Sequence, residues 1–195
     1  MRKSDFIISG EDHKNFSIIE EYKPFTLINK SKFTDSNFEK TWFKESKIYE
    51  TEFQSCNLKY SNIESSDLRY VKFIDCDITG ININASKFYR VDFINCKSDS
   101  IIARGLNIKE CNFKNMNFVN STLSRGTYDS VNIENSSYTN CKMFMFTCFN
   151  SFFNNVIFDK NNLTLSKFIN CSTSNTEFLE SNKLLCIFKK NVMEN

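Results

Sequence analysis

The residues with the clearest chemical potential are eight cysteines and one histidine in a chain of 195 residues. Cysteine and histidine together could build disulfides or a zinc site. However, the chain has no C-x-x-C pair. Seven of the eight cysteines are separated from one another by multiples of five residues, and only Cys148 is not; the seven are Cys56, Cys76, Cys96, Cys111, Cys141, Cys171 and Cys186. This spacing favours small buried apolar side chains in a repeat. We therefore expect neither a metal nor a cofactor.

Catalytic arrangements are equally sparse. His13 has no serine or cysteine arrangement near it, and the acidic pairs Glu11-Asp12 and Glu20-Glu21 are typical of solvated charge. The four glycines are widely scattered, so the sequence contains no glycine-rich loop of the kind that binds phosphate. The sequence predicts a protein that is not an enzyme and has no small-molecule substrate.

The elements that carry these residues follow from a five-residue period between Phe33 and Phe178. Of the 30 positions in this phase, 23 are Phe, Leu or Ile, and no insertion interrupts the count. The period fits neither a helix, at about 3.6 residues, nor a lone strand, at about 2.0, and indicates a structural repeat. Small residues such as Ser31 and Ser36 stand two positions before each centre. Each unit therefore supplies one small and one large inward side chain and then turns.

Asn or Asp recurs between the two inward positions, where its side chain can bond the backbone of a corner. A spacing of 20 residues joins Phe33, Phe53, Phe73, Phe93 and Phe113, which indicates coils with four sides of five residues. The units Cys56-Asn57-Leu58, Ser66-Asp67-Leu68 and Cys76-Asp77-Ile78 resemble the A-(D/N)-(L/F)-x-x unit of the pentapeptide-repeat family. This resemblance implies an all-β fold, a right-handed quadrilateral β-helix. We expect about seven coils and a rod roughly 35 Å long.

Three segments are expected. Residues 1–30 lack the strict repeat and are predicted to form an N-terminal cap, either as helix or as strand. Residues 31–180 form the β-helix, and residues 181–195 form a capping or dimerisation segment, because open solenoid ends expose strand edges. Around Lys97 to Gly105 the size pattern is broken but the count is kept. Tolerated drift in the repeat is the favoured interpretation there, and a local bulge is the alternative.

Composition limits location and partners. The 25 basic and 23 acidic residues nearly balance, so nothing in the net charge favours nucleic acid or membrane. No run of 18 apolar residues exists, which excludes a spanning helix. The first ten residues have too short an apolar stretch for a signal peptide. We expect a cytoplasmic protein.

Two groups of outward residues are candidate interaction surfaces. The first is an aromatic and basic column with its neighbours: Tyr49, Arg69, Tyr70, Tyr89, Arg90 and Lys109. Such a column could meet an acidic partner or stack on bases, but pairing within a sheet is the favoured explanation. The second is an apolar patch for a dimer or for packing of the tail: Phe144, Met145, Phe149, Phe152, Ile157, Leu165, Ile169, Leu184, Leu185 and Phe188. Exposed apolar patches of this size mark contact surfaces.

Two functions remain open. The favoured one is a non-enzymatic protein-interaction scaffold with an unidentified protein partner and a homodimeric arrangement. The alternative follows from the resemblance, which implies DNA mimicry by some family members that bind DNA gyrase or topoisomerase IV and confer fluoroquinolone resistance. The nearly neutral charge weighs against a mimic of the DNA phosphates. Direct binding of nucleic acid is the least favoured function.

Overall fold

The structure, a computed structural model, describes residues 6–189 and the backbone of residues 192–194. The chain winds as a right-handed quadrilateral β-helix of about nine turns. Each coil takes 20 residues, and consecutive coils pair in parallel, as in Phe33 opposite Phe53 and Phe53 opposite Phe73. At about 4.8 Å per coil, nine coils give a rod of about 43 Å. The fold class predicted from the sequence is confirmed, and the coil number is larger than expected.

Two sheets carry the main strand pairing and form adjacent sides of the rod, here called face A and face B. Face A consists of β1 (Ile7–Ser9), β3 (Leu27–Asn29), β5 (Lys47–Tyr49), β7 (Asp67–Arg69), β9 (Lys87–Tyr89), β12 (Asn107–Lys109), β15 (Thr127–Asp129), β17 (Thr147–Phe149), β19 (Lys167–Ile169) and β21 (Ile187–Lys189). Face B consists of β2 (Asp12–Lys14), β4 (Lys32–Thr34), β6 (Glu52–Gln54), β8 (Lys72–Ile74), β10 (Asp92–Ile94), β13 (Asn112–Lys114), β16 (Asn132–Thr139), β18 (Phe152–Asp159), β20 (Ser172–Leu179) and β22 (Val192–Glu194).

The other two sides are held mainly by single bridges. Face C follows face B and runs through bridges such as Asn37 to Asn57, while face D runs through bridges such as Trp42 to Asn62. On face C, β11 (Lys97–Asp99) and β14 (Asn117–Val119) pair with each other, and β14 also pairs with β16. The eight-residue strands β16, β18 and β20 continue from face B around the corner onto face C.

Every fifth residue from Gly10 to Leu185 turns the chain with a positive φ, and most of these residues are not glycine. The left-handed conformation is unfavourable for most side chains and least so for Asn and Asp. Most corner N–H groups from Gly10 to Asn170 are bonded to a carbonyl one coil further on, as in Asp35 N to Gln54 O at 3.0 Å. The stacked coils therefore hold a backbone conformation that an isolated coil would not keep.

The core consists of the two inward phases that the sequence predicts, and both are buried through the middle of the rod. On face B, phenylalanine rings stack along the axis from Phe33 to Phe113, with centroids separated by 5.2, 5.0, 4.9 and 5.3 Å and planes within 12°. Each such pair adds about 0.5–1.5 kcal/mol beyond the burial of its area.

The small inward phase supplies hydrogen bonds to the backbone. Ser66 Oγ donates to Phe43 O at 3.0 Å, and Cys76 Sγ donates in the same way to Phe53 O at 3.3 Å. Burial raises the pKa of Cys111 to about 12 and that of Cys141 to about 11. These thiols stay protonated at neutral pH and act as small hydrogen-bonding core groups, in agreement with the interpretation of their spacing.

Both ends continue the coil, which explains the larger number of turns. The N-terminal segment forms strands, since β1 pairs with β3 and β2 pairs with β4. At the other end β21 pairs with β19, so residues 181–189 add a coil as well. Several inward positions of these end coils are polar: Glu11, His13, Glu21, Lys23 and Lys183. Polar inward residues suit a terminal coil, and capping stays a prediction.

The region from Lys97 to Gly105 keeps its register, as Lys97 pairs with Asn117 and Ile102 bridges Asn82. The expected alternative of a bulge is not observed there. Instead, the small side chain of Ala103 helps to line an enclosed apolar cavity of about 20 Å³, together with Ile83, Leu123 and Tyr128. The irregularity is therefore a packing defect within an unbroken backbone.

We expect Ala103→Val to stabilise the protein. The added methyl groups fill the cavity, and at about 24 cal/mol per Å³ over about 20 Å³ this is worth at most about 0.5 kcal/mol. Chemical unfolding in urea measures the change. Ala85→Val is the matched control, because Ala85 is an exposed corner residue with a φ of 54°. This substitution should destabilise the protein, since a β-branched residue disfavours the left-handed conformation. A lower stability for Ala103→Val would contradict the cavity interpretation.

Candidate interaction surfaces

The aromatic and basic column predicted from the sequence is present on face A. Strand register places Tyr49 opposite Arg69, Arg69 opposite Tyr89, and Tyr89 opposite Lys109. These residues follow the inward centre of each strand, so they point outward in single file. The structure thus brings the four column residues together, as their spacing of 20 requires.

Arg69 is engaged within the sheet. Its Nε and Nη2 donate to the two carboxylate oxygens of Asp67 at 2.9 and 2.8 Å. The guanidinium carbon lies 5.8 Å from the centre of the Tyr49 ring, and the Tyr49 hydroxyl donates to Asp67 Oδ2 at 3.3 Å. Burial, followed by the charge of Asp67, raises the pKa of Tyr49. The Arg69 group is therefore a closed local network.

Arg90 makes a similar network at the corner between faces A and B. Its guanidinium carbon lies 5.7 Å from the Tyr70 ring centre and 5.2 Å from that of Tyr89, and the two rings meet edge to face at 5.6 Å. Arg90 Nε donates to Glu110 Oε2 at 2.8 Å. This hydrogen bond lowers the pKa of Glu110 and raises that of Arg90. Pairing within the rod satisfies most of the charge on this surface.

The C-terminal apolar residues separate into two groups. Met145, Leu165 and Leu185 are successive residues of the corner between faces D and A, exposed by 44%, 36% and 68%. Leu184 beside them is also exposed, and Phe144 is half-buried. We call these five residues the aliphatic corner. Three of them adopt a positive φ, between 55° and 60°, which disfavours large side chains. Local backbone preference therefore does not explain their apolar character.

The remaining residues of the predicted patch lie elsewhere. Phe149 pairs with Ile169 on face A, and both are half-buried, as is Phe152 on face B. Ile157 is on face C. Phe188 points along the core and stacks on Phe168 at 5.1 Å. The residues of the predicted patch therefore lie on more than one face, because a period of five places outward residues on all four faces.

Packing of the tail over this patch is not observed. Residues 181–189 form the last described coil, and Leu184, Leu185 and Ile187 on it are exposed by 62%, 68% and 46%. The part of the predicted segment beyond residue 189 lies outside the described side chains. The described tail thus extends the exposed apolar surface instead of covering it.

The sequence interpretation missed an aromatic group near the N-terminal end. Tyr22 and Trp42 are consecutive residues of a face D column, exposed by 66% and 47%, with ring centroids 6.0 Å apart. Tyr60 at the neighbouring corner is exposed by 56%, and its ring lies where a β-carbon on Gly80 would be, with Tyr60 Cε1 2.5 Å away. The signal was available, since the single tryptophan falls in an outward phase.

Charges cancel along the axis of the rod. Six ion pairs join residues that are 20 apart, one coil on the next: Lys32–Glu52, Lys40–Glu20, Lys44–Glu64, Arg90–Glu110, Lys97–Asp77 and Lys160–Glu180. In-register stacking brings like residues into contact, so alternating signs avoid repulsion. The pairs therefore break up any run of one sign along these columns.

The described surface has depressions that are wide and open. One lies between Lys30, Glu50, Tyr70 and Lys72, where faces A and B meet. Within residues 6–189, no group of three or more His, Cys, Asp or Glu side chains is placed to hold a metal ion. No helix that could span a membrane was found in the described part of the chain.

These features define a closed-core β-solenoid that presents its outward columns to solvent. Residues 26–101 match the family model described as a pentapeptide repeat region. The chain thus contains a pentapeptide-repeat region, as its A-(D/N)-(L/F)-x-x units indicate. No curated protein matches it.

Several solved structures are similar at low identity. QnrB1, a plasmid-mediated fluoroquinolone resistance protein, is 16% identical over 94% of this chain and 92% of its own, with a TM-score of 0.44. HetL from the cyanobacterium Nostoc, involved in heterocyst differentiation regulation, is 9% identical over 96% and 86%, with a TM-score of 0.35. The catalytic domain of a GH87 alpha-1,3-glucanase is 8% identical over 99% and 53%, with a TM-score of 0.39.

Replacing Arg90 tests the network on face A. In Arg90→Gln, we expect the pKa of Glu110 to rise toward its ordinary value, because the hydrogen bond that lowers it is lost. Carboxyl NMR titration measures this shift. In the native protein, the contribution of the pair is complete above the ordinary pKa of a glutamate and is lost as the pH falls through the lowered value. Arg125→Gln, on another face, should leave Glu110 unchanged. An unaltered Glu110 titration in Arg90→Gln would refute the assigned pairing.

Proposed function

We propose that this chain is a non-enzymatic pentapeptide-repeat scaffold that binds a protein partner, and that its aliphatic corner is the main contact. The observation that supports this proposal most is a row of three exposed apolar residues on successive coils, Met145, Leu165 and Leu185, each at a corner with a positive φ. Large aliphatic side chains are costly there, and more than a third of each stays exposed on the rod. Burial against another surface would recover the hydrophobic free energy of each side chain.

A second copy of the chain is the proposed occupant. The corner is a straight apolar line, and two such lines related by a twofold axis would cover each other with the same residues. Phe144 and Leu184 flank the line on face D and widen it. A homodimer built in this way leaves the N-terminal coils of both rods free for other partners.

We expect the double variant Leu165→Glu/Leu185→Glu to weaken self-association at least about 100-fold, because buried unpaired carboxylates cost several kcal/mol. Analytical ultracentrifugation measures the dissociation constant. Asn115→Glu/Asn135→Glu is the matched control, since it places the same charges at left-handed corners between faces B and C. The proposed dimer would be contradicted if both double variants lost self-association or if neither did. It would also be contradicted if the wild-type chain sedimented as a monomer at about 100 μM.

DNA mimicry that modulates DNA gyrase or topoisomerase IV is the second candidate. The straight rod favours it, whereas the charge pattern opposes it. Duplex DNA carries about one negative charge per 1.7 Å of its axis, and a mimic needs a comparable acidic line. Here, acidic residues such as Glu20, Asp77 and Glu110 are paired with cations on the adjacent coil. We therefore favour the scaffold.

A titration of gyrase supercoiling and of fluoroquinolone-stabilised cleavage distinguishes the two functions. We expect no inhibition and no protection from the drug at a large excess of the purified protein, because the paired columns do not present phosphate-like charge. Inhibition at micromolar protein, lost in Glu50→Lys/Glu110→Lys, would establish mimicry instead.

A further inference from the structure

One column of face D has a composition that neither the core nor the aliphatic corner explains. Consecutive parallel bridges join Tyr22, Trp42, Asn62, Asn82 and Ile102 in a line along the rod. The two rings and Ile102 are exposed, by 66%, 47% and 43%, and the two amides between them are half-buried. We call these five residues the face D strip. We propose that the face D strip binds a proline-rich extended segment of a partner protein, which lies parallel to the rod axis.

The hydrogen-bonding groups of the strip are mainly donors. Asn62 Oδ1 accepts from Glu64 N at 2.9 Å, and Asn82 Oδ1 accepts from Asn84 N at 3.1 Å. These bonds engage each amide oxygen with a backbone N–H, so the Nδ2 group remains as the donor of each side chain. The indole N–H of Trp42 is also a donor only. The strip therefore favours a ligand that supplies hydrogen-bond acceptors.

A proline-rich segment is such a ligand. Proline has no backbone N–H, and the carbonyls of a polyproline II helix have no internal partners. Carboxylates near the strip do not compete as acceptors, because Glu20 is paired with Lys40 at 2.7 Å and Glu64 with Lys44 at 3.8 Å. Proline rings would pack on Tyr22 and Trp42, while carbonyls accept from the two amides, as in other aromatic surfaces that bind such segments.

The repeat distances also agree. A polyproline II helix has three residues per turn and rises about 3.1 Å per residue, which gives about 9.3 Å per turn. Two coils of the rod span about 9.6 Å. One ligand turn therefore spans two coils, which is the distance from Tyr22 to Asn62 and from Trp42 to Asn82. From Tyr22 to Ile102 the strip is about 19 Å long, which accommodates about six residues of ligand.

The width of the strip indicates a linear occupant. Charged pairs border it on both sides, Glu20–Lys40 toward face C and Lys44–Glu64 toward face A. Tyr60, held against Gly80, forms a further edge at the corner with face C. A globular partner would need about 800 Å² on this surface, and a nucleic acid would need unpaired basic residues. A single extended neutral chain fits the strip.

The strip is separate from the aliphatic corner, so the two proposals can fail independently. Variants at Leu165 and Leu185 are expected to leave the strip unchanged, since it lies toward the other end of the rod.

Trp42 is the only tryptophan, and its fluorescence reports directly on the strip. We titrate the full chain with a ten-residue oligoproline and expect a saturable change in Trp42 emission, whereas a Gly-Ser peptide of equal length gives none. Asn62→Asp/Asn82→Asp should weaken binding about tenfold, because it removes the amide donors. The fold should survive, because Asp77 already accepts from Thr79 N in the same turn.

Asn162→Asp is the matched control. It lies further along the same column and makes the same turn bond, to Thr164 N at 3.1 Å, and it should bind oligoproline as the wild type does. Three results would overturn the proposal: no saturable change at millimolar oligoproline, unchanged affinity in Asn62→Asp/Asn82→Asp, or an emission change with cellohexaose but not with oligoproline. The last result would identify the strip as a glycan site.

Discussion

The hydrogen bond between a corner N–H and the carbonyl one coil further along is the interaction on which this rod depends. It supports the left-handed backbone at most corners from Gly10 to Asn170, where every fifth residue has a positive φ. For residues such as Phe25, Tyr60 or Leu165 this conformation is unfavourable in isolation. Stability therefore belongs to stacked coils and not to any single one. An insertion of one residue would exchange inward and outward side chains in every later unit, so the count is kept even where side-chain size is not.

In-register stacking also determines what the surface can display. An outward side chain contacts the residues 20 positions before and after it, so its neighbours lie along the rod axis and are distant in sequence. Charges alternate for this reason, and amides form ladders, as in Asn115 Nδ2 to Asn95 Oδ1 at 2.7 Å and Asn170 Nδ2 to Asn150 Oδ1 at 2.7 Å. Both arrangements are satisfied within the rod. The aliphatic corner and the face D strip differ, because their exposed groups gain little from their own columns.

The sequence allowed the core to be predicted because packing fixes residue type strongly. Apolar centres and small inward residues identified the register, the four sides and the position of Cys56, Cys76 and Cys96. The first coil was missed because Glu11, His13 and Lys23 interrupt the apolar phase while the backbone continues to turn. The positive φ at the corners is harder to predict from the sequence, because glutamate, lysine and tyrosine all adopt it where neighbouring coils support them.

Surface grouping was less predictable, for a geometric reason. The position of a residue within its five-residue unit determines whether it points outward. Its position within the 20-residue coil determines on which face it lies. Ile157 and Met145 share an outward character and are 12 residues apart, but they occupy different sides of the rod. Trp42 was missed because its column is mixed, with the turn-forming residues Asn62 and Asn82 beside Ile102, so residue type there follows no packing rule.

The aliphatic corner ends on the last coil whose side chains are described. Leu184 and Leu185 end the corner, while Ile187 and Phe188 on the same coil are each exposed by 46%. Phe188 completes the stack on Phe168 but has one face uncovered by the described residues. A partner seated on the corner at this end would also cover the end of the core. Association there would bury the exposed side chains of the corner and of Ile187 and Phe188 in one contact. Polar inward residues occur on the described coils at both ends of the rod, His13 on the first and Lys183 on the last, so the exposed apolar surface is what distinguishes the last described coil.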